Sequence, residues 1–247
     1  VFSRIVADKV HTFGVSGKLW RNGLVMYDHQ TKTLWSGITG EALEGPLIGN
    51  RLEIIAAVPK VRWQDWKAAY PQSQVLTSYG FQNFDQDRYA DYHLSGMTGL
   101  FPPTHRNPQL LPKALVMGMR VGEQARAYPH DLFKTTKVIT DRFAGKELVV
   151  YRDAQSEASA IYERRVDGRL LSFKPGNTWT LLYDTTTGST WNVVTGTAVI
   201  GPLKGKQLRR IPHFSIYWFA WVDFYPQTTL FTPTDASEAN PSSVNQR

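Results

Sequence analysis

Tyr27 to Gly49 reads Y-D-H-Q-T-K-T-L-W-S-G-I-T-G-E-A-L-E-G-P-L-I-G, and Tyr183 to Gly205 reads Y-D-T-T-T-G-S-T-W-N-V-V-T-G-T-A-V-I-G-P-L-K-G. Aligned without a gap, the two stretches share 11 of 23 residues, where chance gives roughly one or two. The shared positions predict one structural unit used twice. Most of them have a backbone role. An alternating run through Leu24, Val25, Met26 and Tyr27 ends at Asp28, and a second run begins at Thr33, the pattern of a β-hairpin. Asp28 and Asp184 stand where a side chain can cap the amides of the turn, with a carboxylate used in a site as the other reading. The Gly-Pro-Leu-x-Gly that follows each hairpin, Gly45 to Gly49 and Gly201 to Gly205, supplies free φ, a fixed φ and one apolar anchor for a second tight connection. It is no phosphate loop, because no Gly-Lys-Ser/Thr opens a helix after it.

Outward from these hairpins the same order recurs. Val1 to Val6 and Val10 to Val15 read as strands about Ala7, Asp8 and Lys9; Ile161 to Val166 and Arg169 to Phe173 read likewise about Asp167-Gly168. Glu147 to Tyr151 is a further strand ahead of the second copy, so the first copy is expected to begin inside its unit. After each Gly-Pro-Leu-x-Gly turn a strand is expected, Arg51 to Ala57 and Gln207 to Ile211, and then a short helix. The helices place Trp63, Trp66 and Tyr70, or Trp218, Trp221 and Tyr225, on one stripe, expected to pack against a sheet. Their other faces differ: Arg62, Gln64, Asp65 and Lys67 against Tyr217, Phe219, Ala220 and Phe224, which predicts a wet first helix and a buried second one.

These readings give a β-rich α+β fold: two tandem antiparallel-sheet repeats, each with a short aromatic helix, related by a pseudo-twofold. The first repeat spans 1–78 and the second 114–231. An aromatic connecting loop, 79–113, is expected to be pinned by Tyr79, Phe81, Phe84, Tyr89 and Tyr92, with pocket lining as the alternative, and 232–247 is expected to be a disordered tail. Leu115 to Val121 and Glu123 to Tyr128 form a predicted hairpin about Gly122, followed by a short helix from Pro129 through Phe133. Val138 to Thr140 and a turn over Asp141 to Gly145 lead into the strand at Glu147.

The chain has 247 residues and a formal net charge of +7, with no Cys, which excludes disulfides and thiolate metal sites within it. No apolar run reaches the roughly 20 residues of a membrane span. The densest basic group, Lys204, Lys206, Arg209 and Arg210, alternates with other residues and reads as a solvated face, so there is no clear nucleic-acid signal. None of the six His falls at a metal-ligand spacing, and neither a metal site nor a cofactor is expected. Ser16, in Gly14-Val-Ser-Gly17, does not sit in a nucleophile elbow and reads as a turn residue.

The combination of Phe13-Gly-Val-Ser-Gly17, Leu24 to Trp35, Gly45-Pro-Leu47, Trp63-Gln-Asp-Trp66, Tyr70-Pro71, Ala125-Arg-Ala-Tyr-Pro129 and Trp218-Phe-Ala-Trp221 resembles the bacterial family called domain of unknown function 3179, over about residues 1 to 231. That resemblance implies a two-copy protein with an export signal or membrane anchor, hence a periplasmic or otherwise extracytoplasmic place, and brings no established activity. It also implies a Tyr-Cys-Pro-Leu-Cys type segment just ahead of Val1, whose place in the second copy is held by Val150-Tyr-Arg-Asp-Ala-Gln-Ser156 without Cys. Two functions follow as expectations. One is a binding or scaffold domain for an unknown small molecule or protein, its site in the first copy about Ser16, Tyr27, Asp28 and Trp35. The other is a redox- or metal-dependent enzyme whose site combines those residues with an upstream Cys segment.

Overall fold

The computed structural model describes residues 1–57, 60–75 and 89–233. A small hairpin of β1 (Ile5–Val6) and β2 (Lys9–Val10) turns at Ala7 and Asp8, both at positive φ. It leads into an antiparallel four-stranded meander of β3 (Phe13–Trp20), β4 (Gly23–Asp28), β5 (Leu34–Ser36) and β6 (Ala42–Glu44). Two short helices follow, α1 (Trp63–Ala69) and α2 (Ala90–Leu94). Next come β7 (Leu115–Val121), β8 (Gln124–Pro129), a 3-10 turn over His130–Lys134, then β9 (Val138–Phe143), β10 (Lys146–Arg152) and β11 (Ser159–Glu163). A second small hairpin, β12 (Arg165–Val166) and β13 (Arg169–Leu170), precedes a second meander of β14 (Phe173–Pro175), β15 (Leu181–Asp184), β16 (Thr190–Asn192) and β17 (Ala198–Ile200). The described chain closes with β18 (His213–Tyr217), α3 (Trp218–Phe224) and β19 (Thr229–Leu230). Two further sheets result, ordered β11-β10-β9 and β18-β7-β8-β19, antiparallel except where β19 joins β8 in parallel.

The run Leu148-Val-Val-Tyr151 is apolar on both faces because β10 is covered on both. Val149 and Tyr151 face one cluster with Tyr162 and Trp191; Leu148 and Val150 face another with Met117, Met119, Tyr128 and Ile161. A third cluster holds α3 on β7 and β8 through Trp218, Trp221 and Val222. Gly118 is required there, since a Cβ on it would run into the Trp221 ring. Gly118→Ala is therefore expected to cost about 1 to 3 kcal/mol by overpacking, readable as a drop in the urea midpoint with an unchanged slope.

Several expectations change on folding. Arg51 to Ala57 and Gln207 to Ile211 do not build strands: Arg51 bridges Glu41 while Ile54 bridges Phe2, and Gln207 bridges Thr197 while Arg210 bridges Tyr162. Each segment changes partner within three residues, so no ladder grows. β9 continues to Phe143 instead of turning at Asp141, because Ala144 and Gly145 both take positive φ and close a two-residue hairpin. The first aromatic helix has no buried residue, and Trp63 is 49% exposed. The second is buried at Trp218, Phe219, Trp221, Val222 and Phe224, the asymmetry its sequence predicts. Of the aromatics expected to pin the connecting loop, Tyr79, Phe81 and Phe84 lie outside the described residues. Tyr89 is 67% exposed, and Tyr92 packs against Tyr217 and the Lys113 ammonium. Residues 234–247 also lie outside the described part.

The tip of the β3–β4 hairpin reaches the far end of the chain. Trp20 meets the Phe224 ring edge-on at 5.5 Å, Gly23 also lies against Phe224, and the Arg21 guanidinium donates to the Asp223 carbonyl at 2.5 Å. Asn22 adds a bond to the Phe101 carbonyl at 2.9 Å and accepts one from its amide at 3.0 Å.

Candidate functional site

Ser16, Tyr27, Asp28 and Trp35, the residues expected to form a site, do not form one open cluster. Asp28 is fully buried, and its carboxylate accepts from the Thr31 amide at 2.6 Å, the Thr31 hydroxyl at 2.8 Å and the Trp35 indole N–H at 3.0 Å, and contacts His11 Nδ1 at 3.2 Å. Burial alone would raise its pKa, but the Thr31 amide, Trp35, the Thr31 hydroxyl and His11 outweigh it and hold the carboxyl well below its ordinary value. Trp35 is likewise fully buried. Tyr27 projects on the other side of β4, against His29 at 4.9 Å with Lys32 over its ring. Ser16 donates to the Val25 carbonyl at 2.6 Å and accepts from the Lys18 amide at 3.1 Å. The structure thus joins Asp28 to Trp35 in a closed turn and leaves Ser16 and Tyr27 apart from them. Three members of the basic group are engaged within the chain: Lys206 pairs with Asp167, Arg209 with Glu163, and Arg210 bonds Tyr162 and the Val193 and Val194 carbonyls.

A more open polar constellation lies where β10 and β11 end. Leu148, Val150 and Ile161 form the apolar part of one sheet face; in register beyond them come Arg152 and Ser159, directly opposite one another. Lys60 bridges the other side of Ser159, its carbonyl accepting from the Ser159 amide at 3.3 Å. Cross-strand neighbours project to one face, so Arg152, Ser159 and Lys60 make a lateral row of cation, hydroxyl and cation. β18 supplies the opposing wall with His213 and Ser215, two residues apart on one side of a strand. Ser159 Oγ lies 3.1 Å from His213 Nε2, and Ser215 Oγ lies 3.4 Å from His130 Nε2. His213 Nδ1 faces the Ile211 carbonyl at 3.4 Å, which sets the proton on Nδ1 and leaves Nε2 to accept from Ser159.

Between these walls is a cavity of about 410 Å³, within the range of small-molecule sites, lined by Lys60, Ser159, His213 and Ser215 with Phe2, Ile54, Ala56 and Phe214 as its apolar side. Burial pushes His213 down to about 4, helped by Arg210 and opposed by the Ile211 carbonyl. Burial also brings His130 to about 4, with Arg152 and Lys60 adding to it against Glu157 and Asp131. Both imidazoles are neutral in neutral water. A larger cleft, of about 690 Å³, runs between residues 98–112 and α3 and is walled by Pro103, Leu110, Leu111, Trp218 and Phe219. Among the described residues, no three His, Asp or Glu side chains are grouped as ligands for a metal ion, and no helix is long and apolar enough to cross a membrane.

A pH dependence follows with a definite sign. The ordinary histidine value is 6.5, so between that and about 4 the unfolded chain binds more protons than the folded one, and stability falls as pH falls through this window. From about pH 7 to about pH 5 a loss of about 2 kcal/mol is expected after discounting for solvent screening of the partly exposed rings. The measurement is the urea midpoint at both pH values. A double His130→Gln, His213→Gln variant should show a much flatter profile.

The sequence alone does not single out Lys60, Ser159, His213 or Ser215, and its histidines stand at no metal-ligand spacing. His213-Phe-Ser215 did carry a signal: alternation puts an imidazole and a hydroxyl on one side of a strand. Fold and site together define a β-rich protein of antiparallel sheets with a polar cavity where they meet. The family model described as protein of unknown function (DUF3179) matches residues 1–228, and the chain belongs to that family. None of the curated proteins and none of the solved structures matches it.

Proposed function

We propose that the chain is a binding domain that holds a small polar molecule in the junction cavity, in contact with Lys60, Ser159, His213 and Ser215. The observation that carries this reading is the pair of hydroxyl–imidazole contacts, Ser159 with His213 and Ser215 with His130, at the wall of a cavity of about 410 Å³. A Ser–His contact also begins a nucleophile–base arrangement. Here burial and Arg210 hold His213 neutral down to about 4, which makes it a weak proton acceptor in neutral water and favours binding over acyl transfer.

We also infer that the chain is one unit built twice about a pseudo-twofold, over 1–78 and 114–231. In support, both meanders run strand to strand in sequence order, and Trp35 opposite Met26 has its counterpart in Trp191 opposite Leu182. The extracytoplasmic location rests on the family resemblance.

Amide chemical shifts recorded against a set of small polar fragments test the binding site. Shifts should concentrate at Lys60, Ser159, His213 and Ser215, and Ser159→Leu, which fills the cavity, should abolish them. Ser159→Ala should weaken the best fragment several-fold, the effect of one hydrogen bond. Shifts concentrated instead along the cleft of residues 98–112 would overturn the assignment.

A further inference from the structure

Resting on the junction cavity as a binding site, we propose that its ligand is a small oxyanion, a carboxylate or a phosphate, taken up together with a proton. The first support is Arg152. It is only 8% exposed, and among the described residues its guanidinium makes no hydrogen bond and no ion pair, although the charges of Glu157 and Asp153 reach it. Both carboxylates have other cations: Glu157 pairs with Lys60 at 2.6 Å and Asp153 with Lys137 at 2.7 Å. An unbonded guanidinium keeps its N–H donors free, and their fork matches the two oxygens of a carboxylate or phosphate. Arg152 belongs to the same lateral row as Ser159 and Lys60, and Ser159 and Lys60 both line the cavity.

The second support is the way the hydroxyls and imidazoles are linked. With His213 neutral and its proton on Nδ1, the Ser159 hydroxyl donates to Nε2 and has no hydrogen left for a ligand. A proton on Nε2 reverses that bond: the imidazolium donates to Ser159 Oγ, and the hydroxyl hydrogen turns to the cavity. The Ser215–His130 pair can reverse in the same way. The charged groups around His130 are Arg152, Lys60, Glu157 and Asp131, and the one around His213 is Arg210. Arg152, Lys60 and Arg210 oppose imidazole protonation, and an arriving anion offsets them. Anion and proton therefore stabilise one another, and the site gains donors as it gains charge.

Calorimetric titration of the full chain tests this with sodium acetate, inorganic phosphate and acetamide, the last a neutral match to acetate. Each is measured at about pH 5.5 and about pH 7.5 in two buffers of different ionisation heat. Acetate or phosphate is expected to bind with net proton uptake, tightening by up to roughly tenfold per pH unit lowered; the stronger of the two identifies the source as carboxylate or phosphate. Arg152→Gln should weaken binding at least tenfold, and Arg152→Lys, which keeps the charge at the end of β10, should weaken it less. The proton uptake is read on the unaltered chain and so stands even if the Arg152 variants fold poorly. Acetamide binding as tightly as acetate, or anion binding with no proton uptake, would overturn the ligand class while leaving the cavity as a binding site. No binding of any of the three, together with no fragment-induced shift at Ser159 or His213, would overturn both.

Discussion

Trp221→Ala is expected to destabilise the fold by about 3 to 5 kcal/mol, the range for removing a fully enclosed tryptophan. Its ring is wholly buried, lies flat against Gly118, and has Phe214 at 6.4 Å and Tyr225 at 4.3 Å. The indole N–H donates to the Thr228 hydroxyl at 2.8 Å, so truncation also strands that partner. Trp66 holds the corresponding place on α1 and makes a similar bond to the Ser73 hydroxyl at 2.8 Å, but its helix has no buried residue. Trp66→Ala should therefore cost about 1 to 2 kcal/mol. Urea unfolding of the two variants compares them directly, and equal losses would contradict the difference in burial.

Asp28→Ala should cost about 3 to 5 kcal/mol, since one deletion leaves the Thr31 amide, the Trp35 indole and the His11 ring without their acceptor in a closed interior, and each stranded group costs about 1 to 3 kcal/mol. Asp184 offers a control in the same fold. It caps its turn through the Thr186 and Thr187 amides and the Thr187 hydroxyl, but among the described residues the indole nitrogen of Trp191 has no hydrogen-bond partner, and Leu171 occupies the place of His11. Asp184→Ala should thus cost about 1 to 3 kcal/mol, the price of a turn cap alone. Because the folded-state pKa of Asp28 is depressed, its contribution is present above the ordinary carboxylate range and is lost as pH falls through the acid range towards its folded value. Asp28→Ala should therefore erase part of the protein's acid sensitivity as well as lowering its midpoint near neutrality.

The hairpins were legible because they depend on local chemistry. Asp167-Gly168 between alternating runs, Asp28 before the His29-Gln30-Thr31 turn, and Gly122 between two apolar stretches each act within a few residues. The helices were legible from their aromatic stripe, and their unequal burial from the faces opposite it. What the sequence could not convey was pairing between distant segments. Nothing near Arg51 says that Glu41 and Phe2 will divide the strand expected there, and nothing near Lys60 says that it will stand beside Ser159. The junction cavity is assembled from such pairings alone, so residues that are unremarkable in their own neighbourhoods become a site only when β18 closes over β11.

The seam between the β3–β4 hairpin and α3 has a consequence for how the protein comes to be folded. Arg21 and Asp223 are 202 positions apart, and contacts that distant delay folding because a long loop must close first. During synthesis at about 5 to 20 residues per second, the first meander waits roughly 10 to 40 seconds for the helix that covers Trp20 and Gly23. For that interval its hairpin tip is uncovered apolar surface, the kind that recruits chaperones or neighbouring nascent chains. Truncated chains that stop before Trp218 should accordingly be harder to keep monomeric than the 247-residue chain, even though every strand of the first meander is already present in them.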